Sequence, residues 1–226
     1  MATSAQPTTF TRSRKWLQDL VYNHPAMLAD AIHAAQPHVQ SQKIDWRSPQ
    51  PPKYLEYRDG KALQALDLSH MRSALARFWP ARGPVWDALG VGIGTDERFL
   101  VEAKAHIPEL VSSPTAAQGR SLHQIRRRLN DLKRSLKSGA LADWSGPFYQ
   151  YFNRLAYLNW FRAHDVPAFL VSIYFTDAPD VPEPVTRQQW EGALSLVRSC
   201  MGLRPHRLKP FVIDLFIDAT TGRVAA

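Results

Sequence analysis

Three ionisable residues interrupt a stretch that otherwise reads as buried strand. In GPVWDALGVGIGTDERFLVEAKAH, from Gly83 to His106, Asp87, Glu102 and Lys104 stand where apolar side chains belong. Two carboxylates are the hard oxygen ligands that Mg²⁺ accepts while it keeps several waters. A bound divalent cation lowers the pKa of one water and offsets charge on a phosphoryl oxygen. An ammonium beside it can orient the attacking water or offset charge in the transition state. The competing reading is a structural ion pair at a sheet edge, because an Asp followed at a distance by Glu-x-Lys is a short and common pattern.

The element that must position these groups is a β-hairpin. Its first strand runs from Val85 to Ile93 and its second from Phe99 to Ala105, with turn chemistry at Gly94-Thr95-Asp96-Glu97. Residues two apart on a strand share a face, so Glu102 and Lys104 point together and Ala103 points away. With a turn of even length, Asp87 falls on their face, opposite one of the two. A bulge or an odd turn would break that parity. The expected product is two carboxylates and one ammonium on one side of a sheet.

Pro84 and Asp87, followed by Glu102-Ala103-Lys104, resemble the signature of the PD-(D/E)xK nuclease superfamily, the restriction-endonuclease-like fold. The resemblance is close over Ser69–His106 and looser towards the C-terminus. It implies a Mg²⁺- or Mn²⁺-dependent phosphodiesterase in which Asp87 and Glu102 hold the metal and Lys104 positions the water. Two departures are visible. Pro84 lies three residues before Asp87 rather than next to it. The helix before the hairpin, Ser69–Trp79, carries none of the acidic residues that many members place there. Glu56, Asp67 and Asp214 are the remaining acids to consider.

Length and charge set the bounds. The chain has 226 residues, 45% of them hydrophobic and 21% charged, enough for one domain with a substantial core. No apolar run is long enough for a membrane span. The N-terminus has no apolar signal core, and a single cysteine, Cys200, excludes an internal disulfide, so a cytoplasmic protein is expected. Cys200 falls on an apolar helical pattern and reads as packing. A net charge of +8 favours phosphate-rich partners, and it acquires weight from the independent site motif. Nucleic acid, DNA in particular, is the expected partner; a membrane is not, and a homodimer is admitted.

In chain order, residues 1–12 read as a disordered tail. Helical spacing follows from Arg14 to Ala35, divided at His24-Pro25. Residues 36–53 form a Pro/Gln/Ser-rich loop with a short extended piece at Ile44–Trp46. Arg58-Asp59-Gly60 marks either a strand end or a helix start. Ser69 is a candidate N-cap for a helix to Trp79.

The clearest helix is Ser121–Lys137, with Leu122, Ile125, Leu129, Leu132 and Leu136 as a narrow apolar stripe. Arg120, Arg126, Arg127, Arg128, Lys133 and Arg134 make the densest positive charge in the chain. They read as a phosphate-backbone contact or as a solvated outer face. The aromatic-rich stretch Pro147–His164 reads as a buried helix, whose polar Gln150, Asn153 and Arg154 need partners. They are candidates to line the site, as polar residues on this helix do in the resembled superfamily. His106 would extend the site face if the strand lasts that long. Ala168–Phe175 reads as a central strand, Thr186 as the cap of a helix, and Phe211–Ile217 as a last strand.

These elements combine as an α/β fold, a restriction-endonuclease-like mixed central sheet flanked by helices. Residues 13–64 are expected to be an N-terminal helical extension packed on the core, and 65–226 the nuclease-like domain. The expected function is metal-dependent hydrolysis of phosphodiester bonds in nucleic acid. The alternative is a catalytically inactive nucleic-acid-binding or assembly protein on the same fold. No zinc spacing, P-loop or nucleophile elbow supports another class.

Overall fold

The structure, a computed structural model, describes residues 12–139, 141–203 and 205–225. The expected tail at 1–12 therefore lies almost wholly outside the described residues. The sheet has five strands in sequential order: β1 (Ile44–Ser48), β2 (Ala88–Gly92), β3 (Arg98–Lys104), β4 (Ala168–Thr176) and β5 (Val212–Asp218). β1, β2 and β3 pair antiparallel, and β3, β4 and β5 pair parallel, so the sheet is mixed. All nine residues of β4 are buried, as expected of a strand covered on both faces.

Helices α1 (Ser13–Asn23) and α2 (Pro25–Ala35) cover one face. Their Leu17, Leu20, Leu28 and Ile32 pack with Ala88, Phe99, Val101, Phe169, Val171 and Ile213. Pro25 opens α2 at its first position, where the missing N–H costs nothing, and this divides the two helices.

The opposite face is covered by α3 (Asp59–Ala65), α4 (Arg72–Phe78), α5 (Gly119–Ser135) and α6 (Tyr149–Arg162), packed on Leu89, Leu100, Leu170 and Val212. α7 (Arg187–Cys200) adds Trp190 and Leu194 against Tyr174. Thr186 caps α7 with a capping box, its hydroxyl accepting from the Gln189 amide while the Gln189 side chain accepts from the Thr186 amide.

Several expectations are corrected. Residues 13–64 are more than a helical extension, because β1 pairs with β2 and belongs to the central sheet. Ser69 makes no side-chain cap. It opens a 3-10 turn (Ser69–Met71), and α4 starts only at Arg72. α6 starts at Tyr149, two residues after Pro147, because Phe148 adopts a left-handed conformation (φ 67°). Asp59-Gly60 opens α3, while Tyr57 just before it bridges Trp86. Cys200 is exposed rather than packed. Among the described residues no helix is long and apolar enough to cross a membrane.

Glycines let β1 approach the hairpin closely. A Cβ on Gly90 would lie 2.6 Å from Ile44 Cγ2 and 3.0 Å from Trp46 Cε3. Gly90→Ala should therefore cost about 1–3 kcal/mol of stability through overpacking. The midpoint of urea unfolding checks this, and an unchanged midpoint would show that β1 yields freely.

Candidate active site

The hairpin register is the one that even-turn parity requires. Ala88 lies opposite Val101 and Leu89 opposite Leu100, which carries on to Asp87 opposite Glu102. The strand is shorter than expected, however. β2 begins at Ala88, and Asp87 sits in a bend just ahead of it. β3 outruns its partner there, and the freed N–H of Ala103 is taken up by a side chain. Asp87 Oδ2 accepts it at 2.8 Å, while the Asp87 amide donates to Val101 O at 3.1 Å. Among the described residues Asp87 Oδ1 takes no hydrogen bond. The notch at the end of β2 thus orients one carboxylate towards β3.

Glu102 and Lys104 point from β3 towards α6. Lys104 Nζ donates to Glu102 Oε1 at 2.6 Å and to Gln150 Oε1 at 2.7 Å. Glu102 Oε2 accepts from Arg154 Nε at 2.9 Å and NH2 at 2.7 Å. Arg154 also donates through NH2 to Val85 O at 2.7 Å and through NH1 to Asn153 Oδ1 at 2.8 Å, and it lies over the Trp86 ring. An ammonium has three donors, so Lys104 keeps one beyond its two bonds. Residues 150 and 154 lie one helical turn apart on α6, so Gln150 and Arg154 share the face that meets β3. A cavity opens here, lined by Glu102, Lys104, Gln150, Arg154, Ser172 and Tyr174.

The electrostatics separate the two carboxylates. Burial works against ionisation of Glu102, but Arg154 and then Lys104 outweigh it and hold the group below its ordinary value. Asp87 is pushed up to about 8, first by burial and then by the Glu102 charge; Lys104, the Ala103 amide and Arg154 oppose this only in part. The two carboxylates are thus driven apart, Glu102 held ionised by its two cations and Asp87 held protonated chiefly by burial.

The sign of the consequence follows from linkage. Unfolded, the Asp87 carboxyl ionises near 3.8, so in the folded chain it keeps a proton that the unfolded chain has released. Its effect on stability is least unfavourable below that value and worsens as pH rises towards about 8. In EDTA the melting temperature of the wild type should therefore fall relative to that of Asp87→Asn between about pH 5 and pH 8. Parallel curves would mean the carboxyl is not perturbed.

The other expected residues fall into groups. Gln150 and Arg154 meet the cluster directly, and Asn153 reaches it only through Arg154. His106 does not join it. It is half-buried at the start of a 3-10 turn beyond β3. Glu56 lies close enough to Glu102 and Arg154 to feel their charge, is raised above its ordinary value chiefly by burial, and bonds Arg14 at 2.5 Å. Asp67 is exposed and paired with Arg47. Asp214 was to be a ligand only if its strand adjoined the hairpin. β5 instead pairs with β4, and Arg198 holds Asp214 at 2.6 Å.

On α5, Arg128 donates to the carbonyls of Arg77 and Phe78, and Lys133 donates to Ala142 O, so both serve packing. Arg126 bonds Ser145, and Arg134 pairs with Asp131. Arg120 and Arg127 are exposed, with no side-chain partner among the described residues. α5 packs on α6, the helix that carries Gln150 and Arg154.

Ser172 and Tyr174 were missed by sequence reasoning. Their signal is the serine in AFLVSIYF, a polar residue inside an otherwise apolar strand on the face of Glu102. Comparison with protein-family models, with curated proteins and with solved structures returns no match for this chain.

Proposed function

We propose that this protein is a Mg²⁺- or Mn²⁺-dependent nuclease that hydrolyses phosphodiester bonds, with DNA as its substrate, on a restriction-endonuclease-like core. The observation that carries the reading is the convergence of Asp87, Glu102 and Lys104 at the notch where β2 ends. The donor set fits such a cation: two hard carboxylates, one with an oxygen that takes no hydrogen bond among the described residues, in a place where burial works against ionisation of Asp87. One or two protein carboxylates are what Mg²⁺ uses when substrate phosphates complete its shell, and two are present here. Asp87 and Glu102 would hold the ion, which when bound lowers the pKa of a water and offsets charge on the phosphoryl oxygens.

The chain's own residues supply the rest. Arg154 and the Val85 carbonyl fix the Glu102 carboxylate so that it does not turn away from Asp87. Gln150 holds Lys104 Nζ from the other side, leaving its third proton to orient a water or meet a phosphate oxygen. The net charge of +8 and the exposed arginines of α5 favour a polyanion over a small neutral substrate.

A second reading has its own observation. Glu102 already carries two cationic partners, so the cluster is also complete as a structural ion network on a non-catalytic binding protein. Calorimetric titration with Mg²⁺ and Mn²⁺ separates the two. The nuclease reading requires a binding site that vanishes in Glu102→Ala, together with cleavage of plasmid, linear or single-stranded DNA that depends on the metal. Binding of nucleic acid without metal binding or cleavage would favour the second reading.

A further inference from the structure

Beyond Glu102 the same face of the sheet carries a second polar cluster. The register sets Glu102 beside Ser172 and Ser172 beside Asp214, a row across three parallel strands. Two interstrand spacings of about 4.8 Å put Asp214 about 10 Å from Glu102. The Asp214 side chain is only 12% exposed, and its Oδ2 accepts from Arg198 at 2.6 Å and from Lys209 at 3.4 Å. Its buried Oδ1 has no hydrogen-bond partner among the described residues. One carboxylate therefore faces two cations and leaves a positive excess.

Arg198 and Lys209 also line a cavity together with Tyr151, Leu203, His206 and Val212. His206 Nδ1 accepts the Leu208 amide at 3.2 Å, which leaves its Nε2–H as a donor. Burial, and then the positive charges of Lys209, Arg198 and Arg207, hold the His206 pKa below its ordinary value. Arg198 has five N–H donors, of which Asp214 and the Tyr151 hydroxyl occupy a part. Tyr151 lines both this cavity and the one at Glu102, so the two are neighbours across a single side chain.

We infer that this cavity is a nucleotide-phosphate subsite. Arg198, Lys209 and the His206 Nε2–H hold a phosphate of the nucleic-acid substrate while Tyr151, Leu203 and Val212 pack against its sugar or base. Asp214 acts as the anchor that keeps Arg198 and Lys209 in position, since it neutralises only one of them. A phosphate held there fixes the strand's position relative to the carboxylates one step away, which is how backbone contacts set register on a nucleic acid. The inference rests on the nuclease reading for the identity of the substrate, but the binding itself needs neither metal nor turnover.

The test titrates the full chain in EDTA with a 5′-nucleoside monophosphate and with inorganic phosphate, followed by calorimetry. Saturable binding is expected, tighter for the nucleotide than for phosphate alone. Lys209→Ala and His206→Gln should each weaken it by about tenfold, the worth of one charge-assisted contact. Lys209 is 57% exposed, so its replacement leaves the fold intact. Lys61→Glu, an exposed change on α3, should leave binding unchanged. No saturable binding, or equal weakening by Lys61→Glu and Lys209→Ala, would overturn the subsite. Equal affinity for inorganic phosphate and nucleotide would overturn its assignment to a nucleotide. Nucleotide binding by a chain that never cleaves would leave the subsite standing and remove the nuclease reading. Cleavage by a chain that binds no nucleotide would do the reverse.

Discussion

Lys104→Met should purify as a folded protein and lose metal-dependent cleavage of DNA by about 10²–10⁴-fold, the range of a positioned proton-transfer or charge-stabilising group. Methionine keeps the length of the side chain and removes only the ammonium. The two acceptors it deserts, Glu102 Oε1 and Gln150 Oε1, belong to residues that line the cavity. Glu102 keeps Arg154 as its partner. Asp87→Asn should lose activity as completely by another route. The amide oxygen can still accept the Ala103 N–H, so the local backbone is kept, but the charge that a cation needs is gone. The two variants differ in metal binding. Calorimetry should find a Mg²⁺ site in Lys104→Met and none in Asp87→Asn. Undiminished cleavage by either folded variant would remove the nuclease assignment, and loss of the metal site in Lys104→Met would show that the lysine shapes the carboxylates rather than the chemistry.

The parts of this site that were legible in the sequence are those set by local rules. Strand periodicity put Glu102 and Lys104 on one face, and an even turn brought Asp87 to them. The cap at Thr186 and the proline between α1 and α2 are local as well. What stayed hidden depends on contacts between distant segments. Nothing in the hairpin says that its strand stops at Ala88, because the stop is made by the bend at Asp87 and by Tyr57 bridging Trp86 from a distant segment. Gln150 and Arg154 were recognisable as polar residues in a buried helix that needed partners. Which partners they find depends on how α6 crosses β3. Asp214 shows the limit most clearly. As a charge in an apolar strand it looks much like Glu102, yet strand order makes it the anchor of Arg198, two strands away. A charge inside a strand reports that something compensates it, and only the fold reports what.

Arg154→Met should destabilise the metal-free protein by about 3 kcal/mol, near the lower end of the cost of removing one partner from a buried ion pair. Arg154 is 6% exposed and Glu102 11%, so the guanidinium leaves behind a carboxylate that has little access to water. Lys104 remains on Oε1 and the cavity admits some solvent, which keeps the loss from the top of the range. Val85 O and Asn153 Oδ1 lose their donors in the same change. Two further measurements distinguish this account from a simple packing defect. In the double variant with Glu102→Gln the destabilisation should be less than the sum of the two single ones, because no buried charge is left to compensate. Glu102 is held below its ordinary value of 4.5, so the stability it contributes is present above that pH and lost as pH falls through the lower folded value. Without Arg154 that acid-side loss should shrink. Saturating Mg²⁺ should then raise the melting temperature of Arg154→Met more than that of the wild type, since an ion between Asp87 and Glu102 supplies charge that the guanidinium no longer does. If Mg²⁺ raises neither, the carboxylates are not its ligands, and the cluster is held by Arg154 and Lys104 as a structural ion network.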